Sequence, residues 1–361
     1  MSGDELSELA GVVEKFTFRA NSYYLSLIDW DDPDDPIRRI IIPHLDELDQ
    51  WGRLDPSDEK SYTVMPGLEH KYNSTALLLV SDQCEGICRY CFRKRVFLHE
   101  REECIEDIEA AMNYISSHSE ITNVLLTGGD PLLRETAELE YIIGQLRKIY
   151  HIGIIRIGTK IPVFNPYRIL DDPSIAKMIE KHTLPEKKLY IMTHFTHPRE
   201  LTDTAAEALT ILQKAGALIA NQTPLIRGVN DDPKVLAELL AKASFIGVVP
   251  YYIFQCRPAM GNRPFTVPIE QGYTIVEQAK QYVSGLAKRC RFVMSHSTGK
   301  IEIIGKTKDR IYFKYHGAAD DADSGRFLVF KSNPQAYWLD DYNEVIRDYP
   351  ITMPYRAYGP E

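Results

Sequence analysis

Three cysteines, Cys84, Cys88 and Cys91, fall in the stretch Ser81-Asp-Gln-Cys-Glu-Gly-Ile-Cys-Arg-Tyr-Cys-Phe-Arg-Lys94. A four-iron cube has four corners, so three thiolates hold three irons and leave the fourth open to a small molecule. Clusters that only relay electrons are held by four cysteines. The C-x3-C-x2-C spacing therefore points to chemistry performed at the cluster. The competing reading is a zinc site or scattered structural cysteines. Structural zinc takes four Cys or His ligands, and no fourth lies close by, since Cys104 is thirteen residues beyond Cys91 and His70 precedes the strand-like run before the triad.

A second constellation is Leu126-Thr-Gly-Gly-Asp-Pro131. Paired glycines let a backbone approach a ligand closely and expose its peptide groups, which makes Gly128, Gly129 and Asp130 candidates. Alone, Gly-Gly-Asp-Pro also reads as an ordinary turn. His194 and His197 have a ligand-like i, i+3 spacing, but no third ligand is in view, so pocket lining is favoured over metal.

These groups need a frame. Apolar runs at 75–81, 122–127, 152–158, 188–193, 217–221 and 247–254 alternate with stretches of helical period at 104–117, 136–149, 173–182, 201–215, 233–244 and 269–288. Thr202 and Asp232 are expected N-caps, and Pro173 and Pro233 suit first turns. Such alternation with near-continuous apolar strands predicts a parallel sheet. Six units fall short of a closed eight-stranded barrel. The expectation is an α/β fold, an open partial (β/α)6 barrel over 71–294, with functional groups at the carboxyl ends of its strands. Residues 1–70 read as a helical and irregular lead-in. Short β-like runs at 301–304, 310–315 and 326–331 predict a small β appendage and tail over 295–361.

Composition narrows the partners. The 361 residues carry 51 acidic and 42 basic side chains, a net charge of -9, which argues against a binder that relies on neutralising nucleic-acid phosphates. Small molecules are the default ligands. The six cysteines do not form the framework of a small secreted disulfide protein. The acidic stretch Met1–Ala10 lacks a signal-peptide pattern, and no apolar run reaches eighteen residues. A reduced cytoplasmic enzyme with no membrane span is expected.

The cysteine spacing resembles that of the radical S-adenosylmethionine (radical SAM) superfamily. That resemblance implies a [4Fe-4S] cluster on Cys84, Cys88 and Cys91 and SAM on the open iron. Gly128, Gly129 and Asp130 would hold the amino group of SAM. A 5'-deoxyadenosyl radical would follow from one-electron cleavage, with an electron donor such as flavodoxin or ferredoxin. Within the superfamily, His70-Lys-Tyr-Asn, Cys88-Arg-Tyr-Cys-Phe-Arg-Lys-Arg95, Leu126-Thr-Gly-Gly-Asp-Pro131, Ile155-Arg-Ile-Gly-Thr159, Thr193-His-Phe-Thr-His-Pro198, Asn221-Gln-Thr-Pro-Leu-Ile-Arg-Gly-Val-Asn-Asp231 and Pro250-Tyr-Tyr-Ile-Phe-Gln-Cys256 are similar, in this order, to the lysine 2,3-aminomutase family over about residues 65–305.

This narrower resemblance implies a second cofactor, pyridoxal 5'-phosphate (PLP), which carries a migrating amino group as an imine. It implies Lys300 as the lysine that PLP joins, Gln222 and Lys71 near the PLP phosphate, and Arg93 on the substrate α-carboxylate, for which a planar fork is suited. The sequence departs from the lysine enzyme at several places. Of two basic residues upstream of the cluster, Lys71 keeps one and Thr75 replaces the other. Two aspartates that receive the distal ammonium of lysine are matched by Arg257 and Ser295. An arginine there opposes an ammonium and favours a carboxylate. The expected activity is a PLP-dependent 2,3-aminomutase moving the α-amino group of an amino acid other than lysine, with glutamate or another acidic substrate favoured, to the β-carbon. The alternative is a PLP-independent radical SAM enzyme that abstracts hydrogen from another small molecule or a peptide. The C-terminal zinc cysteines of the lysine enzyme have no match, so a homo-oligomer is allowed while that enzyme's contacts are not carried over.

Overall fold

The computed structural model describes residues 3–98 and 103–349. Among the described residues, thirteen strands form one sheet in which spatial order follows chain order. They are β1 (Thr63–Met65), β2 (Leu68–Tyr72), β3 (Thr75–Ser81), β4 (Asn123–Gly128), β5 (Ile154–Thr159), β6 (Leu189–Thr193), β7 (Leu218–Leu225), β8 (Val249–Gln255), β9 (Arg291–His296), β10 (Gly299–Lys306), β11 (Arg310–Ala318), β12 (Phe327–Lys331) and β13 (Val345–Tyr349). Every pairing from β3 through β9 is parallel, and the flanking pairings are antiparallel. β3 pairs only with β2 and β4, so the parallel part stays open.

The α/β partial barrel expected from the sequence is what the chain forms, with one addition. β9 is a seventh parallel strand, and it crosses the expected boundary at 294/295. Its apolar run, Phe292-Val-Met, is only three residues long, too short to stand out by pattern. At the other end, β1 and β2 lie across the expected end of the lead-in at residue 70, which otherwise holds the helices Gly3–Lys15, Ser22–Leu25 and Pro36–Ile41.

Helices cover one face of the parallel strands. In β5, Ile155 and Ile157 point into the core against them, while Ile154, Arg156 and Gly158 alternate onto the concave face. The expected caps are present: the Thr202 side chain accepts from Ala205 N, and Asp232 accepts from Lys234 N and Val235 N. The helix expected at 269–288 ends at Gln281, and the one expected at 104–117 begins at Ile108, capped by Asp107. A second core lies under β9–β12. There Tyr342 meets Phe313 edge-on and Phe330 at a tilt, and Ile269 N donates to Ala336 O at 2.9 Å. The segment 336–342 thus plugs this core. No helix among the described residues is long and apolar enough to cross a membrane.

Candidate active site

The cysteine triad sits on the loop leaving the carboxyl end of β3. Arg89 anchors that loop: its guanidinium is buried, forks onto Glu47 at 2.9 Å and donates to Thr17 O. All three thiols are free and half-buried. Burial pushes the Cys84 thiol up, and Asp130, Cys91 and Cys88 add to the rise, which places the three thiols in one another's field. Each has a cation nearby: Arg19 for Cys84, Lys160 for Cys88, and Lys94, Arg93 and Arg95 for Cys91. Among the described residues no group of three or more His, Cys, Asp or Glu is gathered around a single metal ion. Zinc ligands must converge to about 2.0–2.3 Å from one point, whereas thiolates on separate corners of a cube need not. A cation-flanked set of three thiols fits a cluster.

Gly128 and Gly129 pack directly on this loop. Gly128 has φ +117, and a Cβ there would meet Ser81 O at 2.3 Å; one on Gly129 would meet Gln83 O at 2.2 Å. Asp130 N donates to Gln83 O at 2.6 Å. The Asp130 carboxylate turns inward, accepting from Thr159 Oγ1 and Lys160 N, both at 2.7 Å. Burial raises it to about 6, against those hydrogen bonds. Asp130 therefore ties β4 to the end of β5, while Gly129 N donates to Ser81 O at 2.5 Å.

Further along the concave face lies a cluster of cations. Arg93 is buried and its Nε and Nη2 grip Glu59 at 3.1 and 2.9 Å, while Nη1 donates to Thr127 Oγ1 at 3.1 Å. A guanidinium has five N–H groups, so the fork keeps donors for a second carboxylate. Burial would raise Glu59, but Arg93, Arg95 and Arg257 outweigh it and hold the acid at about 2. Arg257 Nη1 is 3.8 Å from Glu59 Oε1. Its guanidinium carbon stands 3.5 Å from the Phe92 ring centre, and Nη1 has no hydrogen-bond partner among the described residues although buried. Burial lowers Arg257 to about 10. Lys71 Nζ donates to Ser57 O at 3.2 Å and His296 O at 2.7 Å, and burial with Arg257 brings it down to about 8.

Lys300, on β10, faces Ser295 of β9 across the ladder. Its ammonium lies 4.4 Å from the centre of the Tyr252 ring and within 6.0 Å of Tyr72 and Phe254. Burial first, then Arg156, Arg257 and Lys71, lower it to about 7. Gln222 sits just past an irregularity in the β7–β8 register, half-buried. Thr75 opens β3 and is half-buried. The structure thus brings Lys71, Arg257 and Lys300 within electrostatic reach of one another. His194 packs 6.0 Å from Tyr90 and is pushed well below its usual value by burial and Lys160. His197 caps the turn Pro198–Glu200 through its Nδ1.

Sequence reasoning missed Glu59, Arg156 and the aromatic walls. Arg156 carried a signal, a lone charge inside an apolar strand. Glu59 lies in polar chain and carried none. Arg89, Arg93, Lys94 and Arg95 resembled a solvated basic loop, yet all four are largely buried and paired with acids or carbonyls.

Comparison with known proteins gives this arrangement its family. A sequence model of the radical SAM superfamily matches residues 78–240. Over 351 residues the chain is 53% identical to the "Putative L-lysine 2,3-aminomutase" of Aquifex aeolicus, covering 97% of this chain and 94% of that one. The chain belongs to the lysine 2,3-aminomutase family. Other relatives include the L-lysine 2,3-aminomutase of Clostridium subterminale, 38% identical over 79% of this chain and 68% of that one. The glutamate 2,3-aminomutase of Clostridioides difficile is 36% identical over 76% and 64%. The family's cofactors are a [4Fe-4S] cluster and SAM, with PLP in the lysine 2,3-aminomutases.

Proposed function

We propose that this chain is a PLP-dependent 2,3-aminomutase that moves the α-amino group of an acidic amino acid, with glutamate the leading candidate, to its β-carbon. Bound together, the cluster and SAM supply a hydrogen-abstracting carbon radical, and PLP supplies a carbonyl to which the migrating amine joins. The chain's own residues do the rest. Cys84, Cys88 and Cys91 hold the irons, and Gly128 and Gly129 offer backbone carbonyls to the amino group of SAM. Lys300, an amine that is half neutral near pH 7, is the nucleophile for PLP. Lys71 and Gln222 face the PLP phosphate, with the threonine at 75 offering only a hydroxyl. Arg93, braced by Glu59, orients the α-carboxylate.

The observation that carries the substrate reading is the buried Nη1 of Arg257, which has no hydrogen-bond partner among the described residues and only a 3.8 Å ion-pair contact with Glu59. A buried cationic donor without an acceptor is costly, and a side-chain carboxylate supplies one. A lysine ammonium would meet Arg257, Lys71 and Lys300, while Glu59 is already held by Arg93 and Arg95 and the other acid in their field, Glu69, is raised to about 7 by burial and Glu59. The test is binding of glutamate and lysine to PLP-loaded protein, followed by the visible spectrum. Glutamate is expected to perturb the lysine-bound PLP band and lysine to leave it unchanged. The reverse order would remove the acidic-substrate reading, and no visible band with added PLP would remove PLP.

A further inference from the structure

Arg156 is a charge set inside an apolar strand, and no carboxylate among the described residues forms an ion pair with it. In β3, β4 and β5 the residues Ala76, Leu78, Val124, Leu126, Ile155 and Ile157 pack into the helix-side core. Thr75, Asn123 and Arg156 alternate with them and therefore take the opposite, concave face. The ladder sets Tyr72, Thr75 and Asn123 side by side across β2, β3 and β4. Arg156 reaches into this row, where its Nε donates to Asn123 Oδ1 at 2.9 Å. At the other end of the row stands Lys300, whose ammonium is 6.0 Å from the centre of the Tyr72 ring.

The donors along this row call for an anion. A guanidinium carries five N–H groups. Arg156 spends only Nε on a protein atom among the described residues, which leaves its two Nη groups for a ligand. Burial lowers Arg156, and only the hydroxyls of Tyr251 and Tyr252 act against that. Enclosing a cation without a counter-ion is unfavourable. Lys71 has already given two of its three protons, to Ser57 O and His296 O, and Thr75 adds a hydroxyl without charge. A phosphate monoester carries about -1.5 to -2 charges near pH 7 and three strong acceptor oxygens, more than one remaining ammonium proton satisfies. Lys300 lies in the field of Arg156 and, more weakly, of Lys71, so both cations stand on the side of the amine that PLP joins.

We propose that Arg156 is the second cation on the PLP phosphate, holding it through the two Nη groups from β5 while Lys71 approaches from β2. The inference rests on the PLP reading above. A guanidinium fork suits phosphate oxygens. Arg156 is thus a positioning residue: it fixes the phosphate end of the cofactor, and Lys300 holds the other. Asn123 serves the same end, since a neutral amide orients the guanidinium through Nε and leaves its charge for the ligand.

The test is equilibrium dialysis of full-length, cluster-loaded protein, without SAM, against PLP and against pyridoxal, which has the same aldehyde and no phosphate. Any change in the Lys300 amine acts on both aldehydes alike, so the ratio of the two dissociation constants isolates the phosphate. Arg156→Gln is expected to weaken PLP about tenfold or more, the size of a lost hydrogen bond to a charged group, and to leave pyridoxal unchanged. If Arg156→Gln does not fold, Asn123→Asp decides. Its carboxylate supplies Arg156 with a counter-ion inside the protein, and it must also lower the preference for PLP over pyridoxal. A variant that keeps the wild-type preference, or that loses both ligands alike, overturns the proposal while the PLP reading stands. Wild-type protein that binds PLP no better than pyridoxal removes that reading and this inference together.

Discussion

At the scale of single residues, Lys300 makes the sharpest prediction. Its ammonium is lowered to about 7, against an ordinary lysine near 10.4. The neutral nucleophile is the form above that value. Reaction of PLP-free protein with pyridoxal, trapped by borohydride and weighed by mass spectrometry, should rise between about pH 6 and 8 and then level off at Lys300. A rise that continues to pH 10 would mean a solvated lysine. Arg257→Ala should weaken glutamate binding by about 1.5–3 kcal/mol, the range for a hydrogen bond to a charged group, with little change for alanine. Residues of this kind were partly legible in the sequence. The triad and the glycine pair declared themselves by spacing, and Lys300 by its place among family motifs. Glu59 did not, because a carboxylate in a polar segment acquires meaning only when folding sets it between Arg93, Arg95 and Arg257. Glu59→Ala leaves that cluster without its buried acid and should cost about 3–5 kcal/mol, seen as a lowered urea midpoint.

At the scale of elements, the critical joint is where the end of β4 meets the loop leaving β3. Gly129 has no room for a side chain, since a Cβ would lie 2.2 Å from Gln83 O, one residue before Cys84. Gly129→Ala should therefore displace the cysteine loop and lose most of the bound iron while the far-ultraviolet circular dichroism stays intact; full iron loading would contradict this coupling. The six long apolar strands were readable because burial extends beyond the helix-covered face in strands such as Thr75–Ser81, where Leu78, Leu79, Val80 and Ser81 are buried in succession. β9 escaped because Arg291 and the polar Ser295 and His296 frame only three apolar residues. β1 and β2 escaped because they sit at the sheet margin, where Val64 is exposed and Glu69 and Lys71 interrupt the apolar pattern.

At the scale of the whole molecule, an open sheet gathers cations from distant points of the chain onto one concave face: Lys71, Arg93, Arg156, Arg257 and Lys300. Burial first, and then their mutual repulsion, lowers several of them, as for Lys300, and anionic cofactors relieve the repulsion. PLP at about 100 times its Kd should add about 2.7 kcal/mol to stability, raising Tm by several degrees, and Lys300→Ala should forfeit most of that gain. The measurement that bears most directly on the proposed function is a competition. Anaerobically reconstituted protein with PLP, SAM and a reductant is given equal glutamate and lysine, and the products are followed by nuclear magnetic resonance. Appearance of the β-amino isomer of glutamate, with lysine unchanged, is the predicted result. Faster conversion of lysine, or formation of 5'-deoxyadenosine with no amino shift in either substrate, would contradict it.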